Sequence, residues 1–154
     1  MEKYSFLSQI GWITLEGDTE SLSKVSFIKT EFVDTPNSNI LRDSKKQLNE
    51  FLSGKRSSFD IPLSVEGTDF QVDTWEALTK IPYGKTICYS ELADKVGSPK
   101  AQRAVGMANN KNPLPIIVPC HRVIGKNGSL TGYAGGLEAK KFLLNLENNE
   151  DYKD

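Results

Sequence analysis

The chain has 154 residues, of which 38% are apolar and 25% charged, and its formal net charge of −1 suits a globular protein of one or two domains. No stretch approaches the roughly 18 apolar residues of a membrane-spanning helix, and the N-terminus lacks the layout of a signal peptide. Two cysteines do not make the framework of a disulfide-rich secreted domain, so we expect a cytoplasmic protein.

The net charge conceals an uneven distribution along the chain. Residues 1–78 carry 8 Lys and Arg against 13 Asp and Glu, whereas residues 79–127 carry 8 basic residues against only Glu91 and Asp94. A basic block in a neutral protein is typical of a phosphate-contacting face, although a merely solvated surface gives the same composition.

The first third of the chain is predicted to form strands, followed by one helix. Partly alternating segments rich in β-branched and aromatic residues cover 4–7, 10–15 and 24–28. Apolar positions at helical spacing predict a helix over 40–52 that Gly54 ends. Residues 59–63 resemble an edge segment that leads into a polar linker, 64–68.

Short helices and turns are predicted beyond the linker. Residues 70–81 have helical spacing, and Pro82-Tyr83-Gly84 ends that helix. Ser90 is the expected cap of a short helix that Gly97 stops, and Ser98-Pro99 is the expected start of a second helix through Asn109. Two such helices joined by a tight turn indicate a helix-turn-helix.

The second of these helices consists largely of small residues around Arg103. Gly106 within this helix lowers the stability of the helix by roughly 1 kcal/mol relative to alanine. Small side chains give a helix a smooth surface, which indicates either close approach to a bulky partner or tight packing against another helix. Further along, Asn127-Gly128 is a hairpin signal, residues 137–147 are a final amphipathic helix, and 149–154 are expected to be a disordered tail.

The segment Pro119-Cys120-His121-Arg122-Val123 carries the chemistry. The only histidine of the chain follows one of its two cysteines, and a neighbouring imidazole helps a thiol to become a nucleophilic thiolate. Cys120 is therefore a nucleophile or a packed core thiol. A zinc site is not expected, because Cys88, Cys120 and His121 are fewer ligands than a structural zinc site requires.

Geometry restricts how Cys120 and His121 can cooperate. In an extended segment their side chains would point to opposite faces, so either the chain turns here or a water carries the proton between them. The imidazole also needs a partner, typically a carboxylate, to fix its tautomer. Glu147 is our choice, although spacing alone does not select it over Glu138.

Several segments together resemble one protein family. The Pro-Cys-His-Arg-Val segment is similar to the active-site motif of the O6-alkylguanine-DNA alkyltransferases, also called methylated-DNA–protein-cysteine methyltransferases. Other segments match in order along residues 68–147: Pro82-Tyr83-Gly84-Lys85, Tyr89-Ser90-Glu91-Leu92-Ala93, Arg103-Ala104-Val105-Gly106, Asn112-Pro113 and Gly132-Tyr133-Ala134-Gly135-Gly136-Leu137. Residues 1–66 match only loosely.

The resemblance implies an α+β protein of two domains. Residues 1–66 would form a small, ribonuclease H-like scaffold domain of sheet and helix. Residues 67–148 would form a mostly helical domain for DNA binding and alkyl transfer, with a winged-helix-like helix-turn-helix and the active-site segment. Residues 149–154 would be the tail.

The resemblance also implies how double-stranded DNA is bound. The helix-turn-helix would enter the minor groove, where small side chains permit close approach, and Arg103 would fill the space left by an extruded alkylated guanine. Tyr89 would crowd the neighbouring phosphate, and Arg122 is a candidate for phosphate binding or for an ion pair with the N-terminal domain. The DNA-contacting residues implied are Arg103, Tyr89, Ala101, Ala104, Gly106 and Arg122.

In the pocket, the resemblance implies that Cys120 attacks the alkyl carbon and that His121, oriented by Glu147, acts through a water as base. Tyr89 would donate a proton toward the guanine ring. The remaining residues implied to bind substrate or support the site are Asn112, Pro115, Val123 and Ala134. Many relatives have serine where this chain has Ala134, so a backbone contact survives there but a hydroxyl contact does not.

The resemblance implies no cofactor, no metal, no membrane and no obligate protein partner, and a monomer that reacts once because the S-alkylcysteine product has no easy leaving path. Three other functions remain open. They are a damage sensor that flips the base without taking the alkyl group, a thiol hydrolase of small substrates and a transcription factor.

Overall fold

The computed structural model describes residues 1–30 and 38–148, which divide into two compact units, Met1–Val65 and Glu66–Asp154. Both units combine helix and strand, so the protein is a mixed α/β protein. The predicted tail, 149–154, lies outside the described residues. Within the described ranges, no helix has the length and apolar character needed to cross a bilayer.

The first unit is built on a three-stranded antiparallel sheet. Its strands are β1 (Glu2–Ser8), β2 (Gly11–Gly17) and β3 (Leu22–Ser26), in that order across the sheet. Tyr4 lies opposite Leu15, and Leu15 lies opposite Val25, so that cross-strand apolar pairs form the buried face. The three predicted strands are present, although β3 begins and ends two residues earlier than expected.

Helix α1 (Asn39–Leu52) contacts all three strands of this sheet. The Ser38 hydroxyl accepts from the Leu41 N–H and caps the helix, and Leu48 and Phe51 are buried on its inner face. Gly54 follows at φ = +80°, a conformation that favours glycine at the end of a helix. In the predicted edge segment, Leu63 makes one isolated parallel bridge, with Leu22.

Over residues 66–148 the second unit contains four α-helices and two very short strands, besides one turn of 3-10 helix at Cys120–Arg122. They are α2 (Asp69–Thr79), β4 (Ile87–Cys88), α3 (Tyr89–Lys95), α4 (Gln102–Asn110), β5 (Val123–Ile124) and α5 (Leu137–Asn148). Thr68 and Gln71 form a capping box at the start of α2, and Trp75 from α2 donates its Nε1–H to the Ala108 carbonyl of α4 at 2.8 Å. Strands β4 and β5 pair in parallel and place Tyr89 and Cys120 near the same pair of strands.

Three local predictions were wrong in detail. Cys88, not Ser90, is the N-cap of α3, because the Glu91 side chain accepts from the Cys88 N–H at 3.1 Å. Ser98 does not cap α4, because its carbonyl accepts from Ala101 N and closes a separate turn, so α4 starts at Gln102. Asn127-Gly128 lies in a tight turn, but β5 pairs in parallel with β4 rather than in a hairpin.

The contact between α2 and α4 predicts a measurable loss of stability. Replacing Trp75 by Phe removes the hydrogen bond to Ala108 and leaves a small void, so the free energy of unfolding of this unit should fall by about 1–3 kcal/mol. Urea unfolding followed by circular dichroism measures the change. Trp12→Phe is the control, because Trp12 is only half-buried and Phe keeps an aromatic face under Lys29. An unchanged midpoint for Trp75→Phe would contradict the prediction.

Candidate active site

Cys120 and His121 lie in one turn of 3-10 helix, Cys120–Arg122, which follows the buried apolar run. Within that run the Val118 N–H bonds to the Leu114 carbonyl, and Ile116 adopts φ = +75°. This is a strained backbone conformation for a β-branched residue, and the burial of its side chain holds it. The chain therefore turns between the thiol and the imidazole, which is one of the two alternatives left open by the sequence, and the turn leaves room for the other, a bridging water.

Glu147 lies directly behind His121. Its Oε2 is 2.6 Å from His121 Nε2, and the side chain of His121 is fully buried. The other candidate, Glu138, has a side chain that is 90% exposed and pairs with Lys141. The structure therefore brings Glu147, and not Glu138, to the imidazole.

The carboxylate of Glu147 is held by further donors. Arg122 Nε donates to Oε1 at 2.8 Å and Nη2 donates to Oε2 at 2.9 Å, which is the two-point geometry of a strong ion pair. The backbone N–H of Gly84 adds a bond to Oε1 at 3.3 Å. Burial alone would raise the pKa of Glu147, but the hydrogen bonds and charges of His121 and Arg122 outweigh it and lower the pKa to about 2.

His121 remains neutral in this surrounding. Burial lowers its pKa more than Glu147 raises it. Because ionised Glu147 only accepts hydrogen bonds, the Nε2 atom carries the proton and Nδ1 keeps its lone pair. Nδ1 has no hydrogen-bond partner among the described residues, and Nε2 is bonded to Glu147, so no direct bond links the imidazole to Cys120.

Cys120 is a buried free thiol, and burial raises its pKa to about 11. A hydrogen bond from Asn112 and the positive charge of Lys140 act in the opposite direction. The thiol is therefore protonated in the free protein, and its use as a nucleophile requires a base at the moment of reaction.

Two asparagines support the cysteine segment from the side of α4. Asn112 is buried, donates to the Val118 carbonyl at 2.7 Å and accepts from Leu114 N at 2.9 Å. Buried Asn109 places its Nδ2 3.5 Å from the Cys120 carbonyl. Pro115, also buried, forms an isolated bridge with Val118 inside the same turn.

Lys140 is a site residue that our sequence reasoning missed. It is fully buried, and its Nζ donates to the Val123 carbonyl at 2.8 Å and to the carbonyl and hydroxyl of Thr131 at 3.2 and 3.4 Å. Burial lowers its pKa to about 8, whereas the neighbouring Cys120 acts to raise it. Lys140 lies one helical turn before the apolar stripe of Leu143 and Leu144 on α5, and a lysine in register with such a stripe is the signal that could have found it.

Tyr89 is the first residue of α3, and its half-buried side chain reaches the loop before α5. Its hydroxyl is 2.5 Å from Thr131 Oγ1. The Tyr89 ring also lies beside Gly106 of α4, where an added Cβ would be 3.7 Å from it. That distance is an ordinary contact, so packing against Tyr89 does not require a glycine there.

The remaining predicted residues fall into two places. Arg103 and Ala104 are exposed on α4, which Ala101 precedes as its N-cap. Val123 begins β5, and Ala134 is exposed in the loop that carries Thr131. The active-site segment and the exposed surface of α4 thus belong to the same unit.

Arg122, which the sequence analysis offered as a DNA contact or as one half of an ion pair, lies inside the second unit. Arg122 is only 7% exposed, and its guanidinium bonds to Glu147 and to the Ile81 carbonyl rather than facing solvent. Its acidic partner also belongs to the second unit and not to the N-terminal one. Within residues 1–30 and 38–148, no three His, Cys, Asp or Glu side chains gather as a metal site would require.

The lowered pKa of Glu147 predicts a pH dependence of stability. An acid whose pKa is depressed by folding stabilises the protein above its unfolded pKa, near 4.5, and this contribution of about 3 kcal/mol should disappear as the pH falls toward 2. Glu147→Gln should be less stable than the parent at pH 6, and the difference should shrink below pH 4. Denaturant titrations across this range test it, with exposed Glu138→Gln as the control. A pH-independent difference would refute the assignment.

Comparison with known proteins places this geometry in a family. Residues 69–149 match the family model described as 6-O-methylguanine DNA methyltransferase, DNA binding domain. The methylated-DNA–protein-cysteine methyltransferase of Methanosarcina acetivorans is 51% identical over 94% of this chain and 96% of its own length. The constitutive enzyme of that name from Bacillus subtilis is also 51% identical, over 92% of this chain and 80% of its own.

A solved structure agrees with these sequence matches. The crystal structure of Mycobacterium tuberculosis OGT in complex with DNA superposes with a TM-score of 0.89 and 43% identity, covering 97% of this chain and 94% of that one. The resemblance carried by the Pro-Cys-His-Arg-Val segment is confirmed over nearly the whole chain and not only around the cysteine. The chain belongs to the methylated-DNA–protein-cysteine methyltransferases.

Proposed function

We propose that this protein repairs DNA by direct reversal of damage. It transfers a methyl or other alkyl group from O6-alkylguanine to Cys120, and O4-alkylthymine is a second candidate substrate. The observation that carries the proposal is the buried Cys120 thiol beside an imidazole whose tautomer is set by Glu147. The names of its relatives and the DNA complex of the M. tuberculosis protein support DNA as the partner.

Activation of the thiol begins at Glu147. The ionised carboxylate holds the proton of His121 on Nε2, which leaves Nδ1 as the basic nitrogen. A water between Nδ1 and Sγ passes the thiol proton to the imidazole as the thiolate forms. The imidazolium that results is stabilised by Glu147, as in other nucleophile–histidine–carboxylate sites.

The alkyl transfer is a single displacement. The Cys120 sulfur forms a bond to the alkyl carbon, the bond from that carbon to O6 breaks, and its electron pair stays with the guanine. Tyr89 donates a proton toward the ring, so that guanine leaves as a neutral base. The product at Cys120 is a thioether, which is a poor leaving group, so each protein molecule reacts once.

DNA is bound through α3 and α4, which we propose to act as a winged-helix-like helix-turn-helix in the minor groove. Ala104 is exposed beside Arg103, although the larger Gln102 and Met107 are exposed on the same helix, and Gly106 is not required by contact with Tyr89. Close approach of the DNA backbone is therefore the proposed reason for a glycine inside a helix. A guanine within the stack cannot be attacked in line, so it is flipped out, and Arg103 fills the gap while Tyr89 crowds the adjacent phosphate.

The pocket recognises the flipped base mainly through backbone groups. We assign base-edge contacts to the backbone of Cys120, Val123 and Ala134. Lys140 already donates one bond to the Val123 carbonyl, which leaves the second lone pair of that oxygen for the base. Asn112 and Pro115 hold the turn on which these groups lie.

We propose the same division of labour as the sequence suggested. Residues 67–148 bind DNA and transfer the alkyl group, whereas residues 1–66 form a ribonuclease H-like scaffold. We propose that the protein acts as a monomer. A nucleophilic thiol must remain reduced, which supports the cytoplasm as its location.

The central prediction is a covalent change of Cys120. After mixing with a duplex that contains one O6-methylguanine, intact-protein mass spectrometry should show the gain of one methyl group, saturating at one per chain and mapping to Cys120. Cys120→Ala should bind the duplex and gain nothing, because the nucleophile is absent. Cys88→Ala is the matched control and should still be methylated.

Other outcomes would assign a different class of function. Binding without any mass change would make the protein a damage sensor. Sequence-specific binding with an unreactive Cys120 would make it a transcription factor. Turnover of small thioester or ester substrates, unaffected by duplex DNA, would make it a thiol hydrolase.

A second prediction concerns Arg103. Because unstacking a base costs a few kcal/mol, Arg103→Ala should slow methyl transfer from duplex DNA by about 10-fold or more. Transfer from single-stranded DNA needs no flipping and should change much less. Single-turnover rates on both substrates test this, with Arg42→Ala, an exposed arginine of the first unit, as the control. Equal losses on both substrates would contradict the role.

A further inference from the structure

Asn109, in the last turn of α4, carries a buried acceptor without a partner. The residue is 3% exposed, and its Oδ1 makes no hydrogen bond within the described part of the chain. An unpaired buried amide oxygen is costly, and an apolar side chain of similar shape would avoid that cost. The displacement at Cys120 leaves this amide unused.

Support of the cysteine turn accounts for only one end of the Asn109 amide. Nδ2 lies 3.5 Å from the Cys120 carbonyl, at the upper limit of a hydrogen bond, and that carbonyl also accepts from the Val123 N–H. The contact directs Oδ1 away from the carbonyl, since two oxygens would repel each other. The hydrogen bond from Trp75 to the Ala108 carbonyl fixes the same turn of α4, so the unpaired acceptor has a defined position.

A second acceptor without a partner belongs to the residue that follows Cys120. His121 Nδ1 is buried and unpartnered among the described residues, and the proposed mechanism places a water between this nitrogen and the thiol. The water accepts the thiol proton and donates one hydrogen to Nδ1, which leaves its second hydrogen unpaired. A buried water typically makes about three hydrogen bonds, so this one requires a further acceptor.

We propose that Asn109 is a positioning residue whose Oδ1 accepts the second hydrogen of the water that relays the proton from Cys120 to His121. One water then satisfies both buried acceptors and the thiol proton. With both hydrogens engaged, the water is held in the orientation that proton transfer to Nδ1 requires. The inference rests on the proposed function, in which this water carries the thiol proton.

Asn109→Leu tests the inference because it removes the amide and keeps the approximate shape of the side chain. The single-turnover rate constant for methyl transfer from an O6-methylguanine duplex should fall about 10-fold, the effect of one lost hydrogen bond to the water. The dissociation constant for the duplex should not change, because Asn109 is buried and assigned to no DNA contact. The melting temperature should not fall, because the unpaired oxygen has been removed.

Asn109→Asp separates the acceptor from the shape of the side chain. Burial favours the protonated carboxyl, which keeps an O–H for the Cys120 carbonyl and an oxygen for the water. At pH 6 this variant should therefore react at close to the parental rate. Asn49→Leu, at an exposed asparagine of α1, is the matched control and should change neither rate nor binding. Asn109→Met, with a more flexible apolar side chain, replaces Asn109→Leu if the latter does not fold.

The outcomes distinguish this inference from the proposed function. If the parent protein is methylated and Asn109→Leu reacts at the parental rate, or is slow only because it binds DNA less tightly, the positioning role is refuted and the proposed function stands. Asn109→Asp that is as slow as Asn109→Leu also refutes the role, because the acceptor has been retained. If the parent protein gains no methyl group, the proposed function fails and this inference fails with it.

Discussion

The arrangement of the second unit depends on one buried carboxylate, that of Glu147. A buried charge is costly unless donors surround it, and Glu147 obtains them from His121, from two N–H groups on one edge of the Arg122 guanidinium and from the backbone of Gly84. These donors belong to the 3-10 turn and to the turn after α2, whereas Glu147 belongs to α5. Satisfying one charge therefore sets the position of three separate segments around Cys120.

Arg122 illustrates why a charged residue beside an active-site cysteine need not face the substrate. Its guanidinium is neutralised by Glu147, and a further N–H is satisfied by the Ile81 carbonyl at 2.7 Å. Arg122 also lowers the pKa of the Glu147 carboxylate, which is hydrogen-bonded to His121. The positive charge that lowers the pKa of the Cys120 thiol comes from Lys140 rather than from Arg122.

The accuracy of the secondary-structure predictions depended on the kind of sequence pattern from which each was made. Helices α1, α2 and α5 were placed within one or two residues, because each shows helical spacing of apolar residues over at least three turns. The starts of α3 and α4 were misplaced by two and three residues, because serine side chains that resemble caps compete with backbone turns and with the Glu91 side chain. Short helices offer too few periodic positions to correct such an error.

The sequence by itself determined the family and indicated Cys120 and His121 as the candidate nucleophile and base, because the two residues are adjacent and the surrounding motifs are specific. The sequence also contained a pattern that indicates the burial of Glu147 and Lys140, because both lie in register with Leu143 and Leu144 on the buried face of α5. The spacing of charged residues alone did not reveal it. Only the tertiary structure decided between Glu138 and Glu147 as the partner of His121. It also showed that Arg122 is buried and that Thr131 joins Lys140 to Tyr89. Those pairings cross 9 to 42 positions of the chain, and which polar groups meet at such separations is decided by how the helices pack around the cysteine.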